Sequence, residues 1–121
     1  MSGRNTHGIP TYNLEDVKRA VAEKRVSIGL TVIHKAQESY SADEDKVDRF
    51  IRNVIKKLVP DEFVHSRRQD YVPHAFADVY GVRNEQGDWY VKFIMENDRV
   101  TVVSCHAPRA PLVRKDGKRI G

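Results

Sequence analysis

The chain has one cysteine, Cys105, among its 121 residues. An internal disulfide is therefore excluded, and no second thiol exists for a zinc ribbon or a CxxC redox pair, which fits a reducing compartment. Long apolar runs are missing too. No stretch approaches the ~20 apolar residues of a membrane helix, and residues 1–10 hold no apolar run, so neither insertion nor export is expected and the cytoplasm is the default location. There is no Gly-rich phosphate loop, no HExxH or GxSxG, no paired Cys/His zinc spacing and no internal repeat. A metal site built from His65, His74, Cys105 and His106 would match no known zinc pattern. No metal or other cofactor is expected.

Charge is unevenly placed. The formal net charge is +4, and the segment 107–121 accounts for all of it through Arg109, Arg114, Lys115, Lys118 and Arg119 against Asp116. The preceding body is formally neutral. A basic end of this kind reads either as a solubilising tail or as a phosphate-binding arm whose contribution would depend strongly on salt. The length suits one domain that buries ~65% of its unfolded surface. We expect a flexible N-terminus over 1–10, a single domain over 11–106 and a basic tail over 107–121.

Helical periodicity dominates the first half. Asn13 is placed to cap a helix over Leu14 to Glu23, with Glu15 and Asp16 in the first turn, where the helix dipole favours carboxylates. Between Arg25 and Tyr40 the pattern changes from β-branched to helical, which predicts a short extended piece followed by a short helix; His34 reads as a surface residue of that helix. Ser41-Ala42-Asp43-Glu44 reads as a capping box. After it, Val47, Phe50, Ile51, Val54, Ile55 and Leu58 form one apolar face of a helix over 42–58, which Pro60 ends. Its cations Arg49, Arg52 and Lys56 make a basic stripe that leads toward His65, Arg67 and Arg68.

The stretch from Pro60 to His106 carries nearly all the side chains suited to catalysis. Ala75–Val82, Trp89–Met95 and Val100–Cys105 have strand composition and turn-like breaks between them, predicting two successive hairpins in an antiparallel meander. Alternation in the second strand puts Trp89, Val91, Phe93 and Met95 on an apolar face for the helices, and Tyr90, Lys92 and Ile94 on the other. Strict alternation in the third groups His106 with Val100, Val102 and Ser104, away from Cys105. The fold class is α+β, with N-terminal helices packed on a C-terminal antiparallel sheet.

Two histidines on separate elements, near arginines and tyrosines, suit RNA transesterification. One imidazole can take the ribose 2′-OH proton while a second, protonated, gives one to the departing 5′-oxygen; no metal is required. His65 and His106 are the candidates. Arg67, Arg68 and Lys92 could meet the extra charge of the transition state, and Lys56 extends the basic surface. Tyr90 could bond a phosphate oxygen or stack on a base, or simply pack against its strand neighbours. Tyr80 and Trp89 read more readily as packing residues, although Tyr80 stays on the list of RNA contacts. Cys105 reads as a small buried strand residue.

Phe63-Val64-His65-Ser66, Asp78-Val79-Tyr80, Trp89-Tyr90-Val91-Lys92 and Val102-Val103-Ser104-Cys105-His106 resemble, in order and spacing, stretches of the MqsR family, toxins of bacterial type II toxin-antitoxin pairs. Asn13-Leu14-Glu15-Asp16-Val17-Lys18 is similar as well, and the likeness runs from about Thr11 to His106. The resemblance implies a RelE-like fold and a ribosome-independent endoribonuclease acting on single-stranded mRNA, a monomer when free, silenced by a cognate antitoxin that also represses transcription. Tyr90 matches a tyrosine implicated in catalysis. His65 and His106 fall where the family often has active-site lysines, and Ala77 falls where some members have glutamine. That last role is then absent or passes to a group such as Asp78 or Gln69. Histidines in place of lysines predict a bell-shaped pH dependence of RNA cleavage between about 6 and 8. The competing expectations are a non-catalytic binding module of the same fold, and a related toxin directed at ribosome-bound mRNA or gyrase.

Overall fold

In the computed structural model, residues 6–69 and 75–121 are described. His74, one of the residues weighed for a metal site, lies outside them.

The first strand, β1 (Thr6–His7), precedes helix α1 (Leu14–Ala22). Asn13 caps α1 as expected, its side-chain oxygen accepting the Asp16 N–H at 3.0 Å, and Val17, Ala20 and Val21 turn inward. Strand β2 (Val26–Ile28) and helix α2 (Leu30–Gln37) follow, in the predicted order of extended piece and helix. Helix α3 spans Glu44–Lys56. Its cap is Asp43, whose carboxylate accepts the Lys46 N–H at 2.8 Å, so the start expected at Ser41 moves by two residues. The reason is local packing: Ala42 packs against the core, and its carbonyl accepts from the Gln37 side chain at 2.9 Å. A 3-10 turn at Pro60–Glu62 ends the helical half.

The sheet comprises β3 (Phe63–Arg68), β4 (Phe76–Asn84), β5 (Gly87–Glu96) and β6 (Arg99–His106), with β1 and β2 at its edges in the order β1-β3-β4-β5-β6-β2. Both predicted hairpins form, and Asn97 and Asp98 have positive φ (51° and 59°), as a two-residue turn of the primed kind requires. The meander has an additional antiparallel strand, β3, and the sheet is mixed because β2 runs parallel to β6. Residues 6–7, within the segment expected to be flexible, form a strand. Thr6 pairs with Arg67 and His7 with Ser66, and the His7 ring stacks on Phe76 at 4.4 Å.

One face of the sheet is covered by the three helices. Trp89, Val91 and Phe93 lie there with Tyr80, Val82 and Phe63, against Val17, Val47, Ile51 and Ile55. Asp78 is fully buried on the same face. Its carboxylate accepts the backbone N–H groups of Thr11 and Tyr12, both at 3.0 Å, and so fastens the segment before α1 to the sheet.

Two bulges decide what the opposite, outer face displays. Between Phe63 and His65 the β3–β4 register slips by one residue, and β6 slips where Phe93 pairs with Val102 but Lys92 pairs with Ser104. Val103 is the extra residue. A one-residue slip moves every later side chain to the other face, so Cys105 joins the helix side opposite Val91, and His106 emerges on the outer side opposite Tyr90. Strict alternation, which grouped His106 with Val100 and Val102, is corrected by this bulge.

The segment expected as a basic tail is folded. Strands β7 (Leu112–Val113) and β8 (Arg119–Ile120) form a small antiparallel hairpin, and Ile120 is buried against Gly81. A Cβ at Gly81 would come within 3.2 Å of Ile120 Cγ1, so glycine permits this close approach.

Candidate functional site

Tyr90 and His106 are paired across β5 and β6 on the outer face, and their rings stack with centroids 5.0 Å apart and planes 9° apart. His106 Nδ1–H donates to the Ala107 carbonyl at 2.8 Å. A carbonyl can only accept, so the neutral ring carries its proton on Nδ1 and leaves the Nε2 lone pair available. Lys92 sits two residues along from Tyr90, beside Ser104. Arg67 reaches in from β3, where its register partner is Ala77.

These four side chains line a groove of about 780 Å³. One wall is α2, through Thr31, His34 and Lys35, with its C-cap residue Glu38; the other is the segment after His106, through Arg109, Ala110 and Leu112. The groove opens where β2 stops: β2 covers β6 only from Val100 to Val102.

The electrostatics follow from placing cations on a partly dry sheet. Burial, reinforced by Arg67, lowers the Lys92 pKa below the ordinary lysine value, so its ammonium is a better proton donor than a free lysine. Burial raises the Tyr90 phenol, with Arg67 pulling the other way, and the hydroxyl stays protonated as a donor at neutral pH. His65 is lowered by burial first and by Arg67 and Lys92 next, which favours the neutral ring.

The expected site is therefore assembled in part. His106, Tyr90, Lys92 and Arg67 come together. His65 shares their face, but it does not line the groove, and its Nε2 is enclosed without a partner. It is also three strands from β6, about 14 Å at ~4.8 Å per strand, which is too far for both imidazoles to serve one phosphodiester. The two-histidine arrangement is corrected on that ground. Arg68 is exposed, and its register one residue beyond Arg67 puts it on the opposite face. Tyr80 is a core residue stacked on Phe93 at 5.7 Å, its phenol pushed far up by burial. Lys56 lies in the last turn of α3, in the helical layer. Neither substitute for the missing glutamine is available: Asp78 faces the helices, and Gln69 is buried with its amide donating to the Arg67 carbonyl at 3.0 Å.

Cys105 points into the core, its thiol raised to about 12 by burial, while His65 and His106 are on the outer face. They cannot share an ion. Among the described residues no group of three His, Cys, Asp or Glu side chains could hold a metal.

The sequence reading missed the α2 wall and the wall after His106. An Asp116-Gly117 turn between Leu112-Val113 and Ile120 was the available signal for the second; nothing local signalled the first.

A family model described as motility quorum-sensing regulator, toxin of MqsA, matches residues 9–107. The chain belongs to the MqsR toxin family. No curated protein matches it. The match spans α1 through β6 and includes the stacked pair, and it makes the chain a toxin of a toxin-antitoxin system with an antitoxin as its partner. Segment 108–121, which forms the second groove wall, lies outside the match. Among the described residues no helix is long and apolar enough to cross a membrane.

Proposed function

We propose that this MqsR-family toxin is a metal-independent endoribonuclease that cleaves single-stranded mRNA in the groove beside Tyr90 and His106, and that its antitoxin silences it. The observation that carries the reading is the His106 tautomer: a ring stacked on Tyr90 and held through Nδ1, with its basic nitrogen free beside two cations. His106 Nε2 takes the proton of a ribose 2′-OH, and the 2′-oxygen attacks phosphorus. As the P–O5′ bond breaks, the Lys92 ammonium protonates the leaving 5′-oxygen. The products are a 2′,3′-cyclic phosphate and a 5′-hydroxyl, with the proton balance closed through His106 and Lys92. Arg67 offsets the charge gained at phosphorus, and the Tyr90 hydroxyl donates to a non-bridging oxygen. His65 takes no proton in this scheme.

A groove walled on two sides favours a single strand, whose bases can unstack onto aromatic surfaces, over a rigid duplex. The test is incubation of the purified protein with a single-stranded oligoribonucleotide in EDTA. Cyclic phosphate ends are expected. Cleavage only with added ribosomes would redirect the proposal to ribosome-bound mRNA, and binding without cleavage would leave a non-catalytic module, the reading that alanine at position 77 favours.

A further inference from the structure

Residues 108–121 lie outside the family match, yet they are fastened to the body at several independent points. Ile120 is buried against Gly81. The Lys115 N–H donates to the Phe63 carbonyl at 2.7 Å, and the Gly121 N–H donates to Asp88 Oδ2 at 2.8 Å. The Arg114 side chain is only 11% exposed; its guanidinium pairs with Asp116 and approaches Glu62 at 3.9 Å, holding the Asp116 carboxyl down at about 2. Ordering a chain segment costs roughly 1–2 kcal/mol per residue in backbone entropy, so a purely solubilising tail would have no need of these attachments. They bring Arg109, Ala110 and Leu112 to the edge of the groove.

Arg109 stands apart from the other cations of this segment. It is exposed, it lines the groove, and it makes no ion pair among the described residues. Arg114 is held by Asp116, and α2's Lys35 across the groove is engaged by Glu38 at 3.0 Å. Arg109 also follows His106 by three residues, and both side chains line the same groove.

We propose that the segment 108–121 is a substrate-positioning wall and that Arg109 holds the phosphate next to the scissile one on the single-stranded RNA. The inference rests on the nuclease reading above and extends it to residues the family match does not include. Arg109 acts as a positioning residue, binding ground state and transition state alike, so its loss belongs in KM rather than in kcat.

The test uses the full chain carrying Arg109→Ala, Arg109→Lys or, as a control cation away from the groove, Lys57→Ala. Binding of a fluorescent single-stranded oligoribonucleotide by anisotropy and cleavage of the same RNA are measured over a series of KCl concentrations. Arg109→Ala is expected to weaken binding and raise KM about tenfold with kcat nearly unchanged. The slope of log affinity against log salt should fall by ~0.7, the value for one phosphate contact on a single strand. Arg109→Lys should recover most of both, and Lys57→Ala should change neither. An Arg109→Ala protein with unaltered affinity and salt slope, or one indistinguishable from the control, overturns the proposal. If the wild type binds RNA without cleaving it, the nuclease reading fails while the anisotropy series still decides Arg109; if it does not bind at all, both readings fail.

Discussion

Replacing His106 with alanine isolates the step on which the proposed chemistry turns. The substitution removes the imidazole that, among the described residues, stacks on Tyr90 and lines the groove, while Arg67, Lys92 and the groove walls remain. General-base catalysis contributes about 10²–10⁴-fold, or about 3–5 kcal/mol of barrier, so single-turnover cleavage should slow by about a thousandfold at neutral pH. The fold should lose little. The ring is half-buried, its one hydrogen bond goes to the neighbouring carbonyl, and an aromatic stack of this kind contributes about 0.5–1.5 kcal/mol. The pH profile separates catalysis from structure. A general base acts only in its unprotonated form, so the wild-type profile should carry an acid limb that vanishes in the variant. On the alkaline side the rate falls as Lys92 loses its proton. Because burial and Arg67 hold its pKa below the ordinary lysine value, the fall comes at lower pH than a free lysine would give. Imidazole added to His106→Ala should restore part of the rate. A folded variant that cleaves within threefold of the wild type, with the acid limb intact, would refute the assignment of His106 as base.

Three further outcomes are expected. Tyr90→Phe keeps the stack on His106 and removes one donor to phosphate, so cleavage should slow by ~10²-fold with RNA affinity nearly unchanged; a rate equal to wild type would make Tyr90 a packing residue. Asp78→Ala removes the acceptor of two part-buried backbone N–H groups, whose bonds contribute about 0.5–1.5 kcal/mol each, so chemical denaturation should show a loss of about 1–3 kcal/mol; a loss below 1 kcal/mol would mean that the segment before α1 is held by other contacts. For His65, whose folded-state pKa lies below the usual 6.5, the unfolded chain binds the proton more readily. Stability is therefore full above about 6.5 and falls as pH drops through the folded value, with a slope of at most ~1.4 kcal/mol per pH unit. His65→Gln should flatten that part of the stability profile, and an unchanged acid slope would count against a neutral, enclosed imidazole.

Much of the architecture was legible because its causes are local. Asn13 caps α1 through its own side chain, the apolar stripe from Val47 to Leu58 buries the face of α3, and the composition of Trp89–Met95 assigns one face of β5 to the helices. Tyr90 and Lys92 could be placed together for the same reason: neighbouring side chains on one strand face need only a period of two.

The rest depended on residues far apart in the chain. Whether His106 faces the core or the groove turns on one extra residue, Val103, which is set by pairing with β5 rather than by the sequence of β6 itself. His65 and His106 look equivalent as letters, yet three strand spacings separate them, and of the two His106 is the one that lines the groove. Residues 112–120 read as a charged tail because the contact that folds them, Ile120 on Gly81, closes across 39 positions. Local propensity determined which segments became helix or strand. Register and long-range docking, which no short window of sequence contains, decided which of their side chains meet.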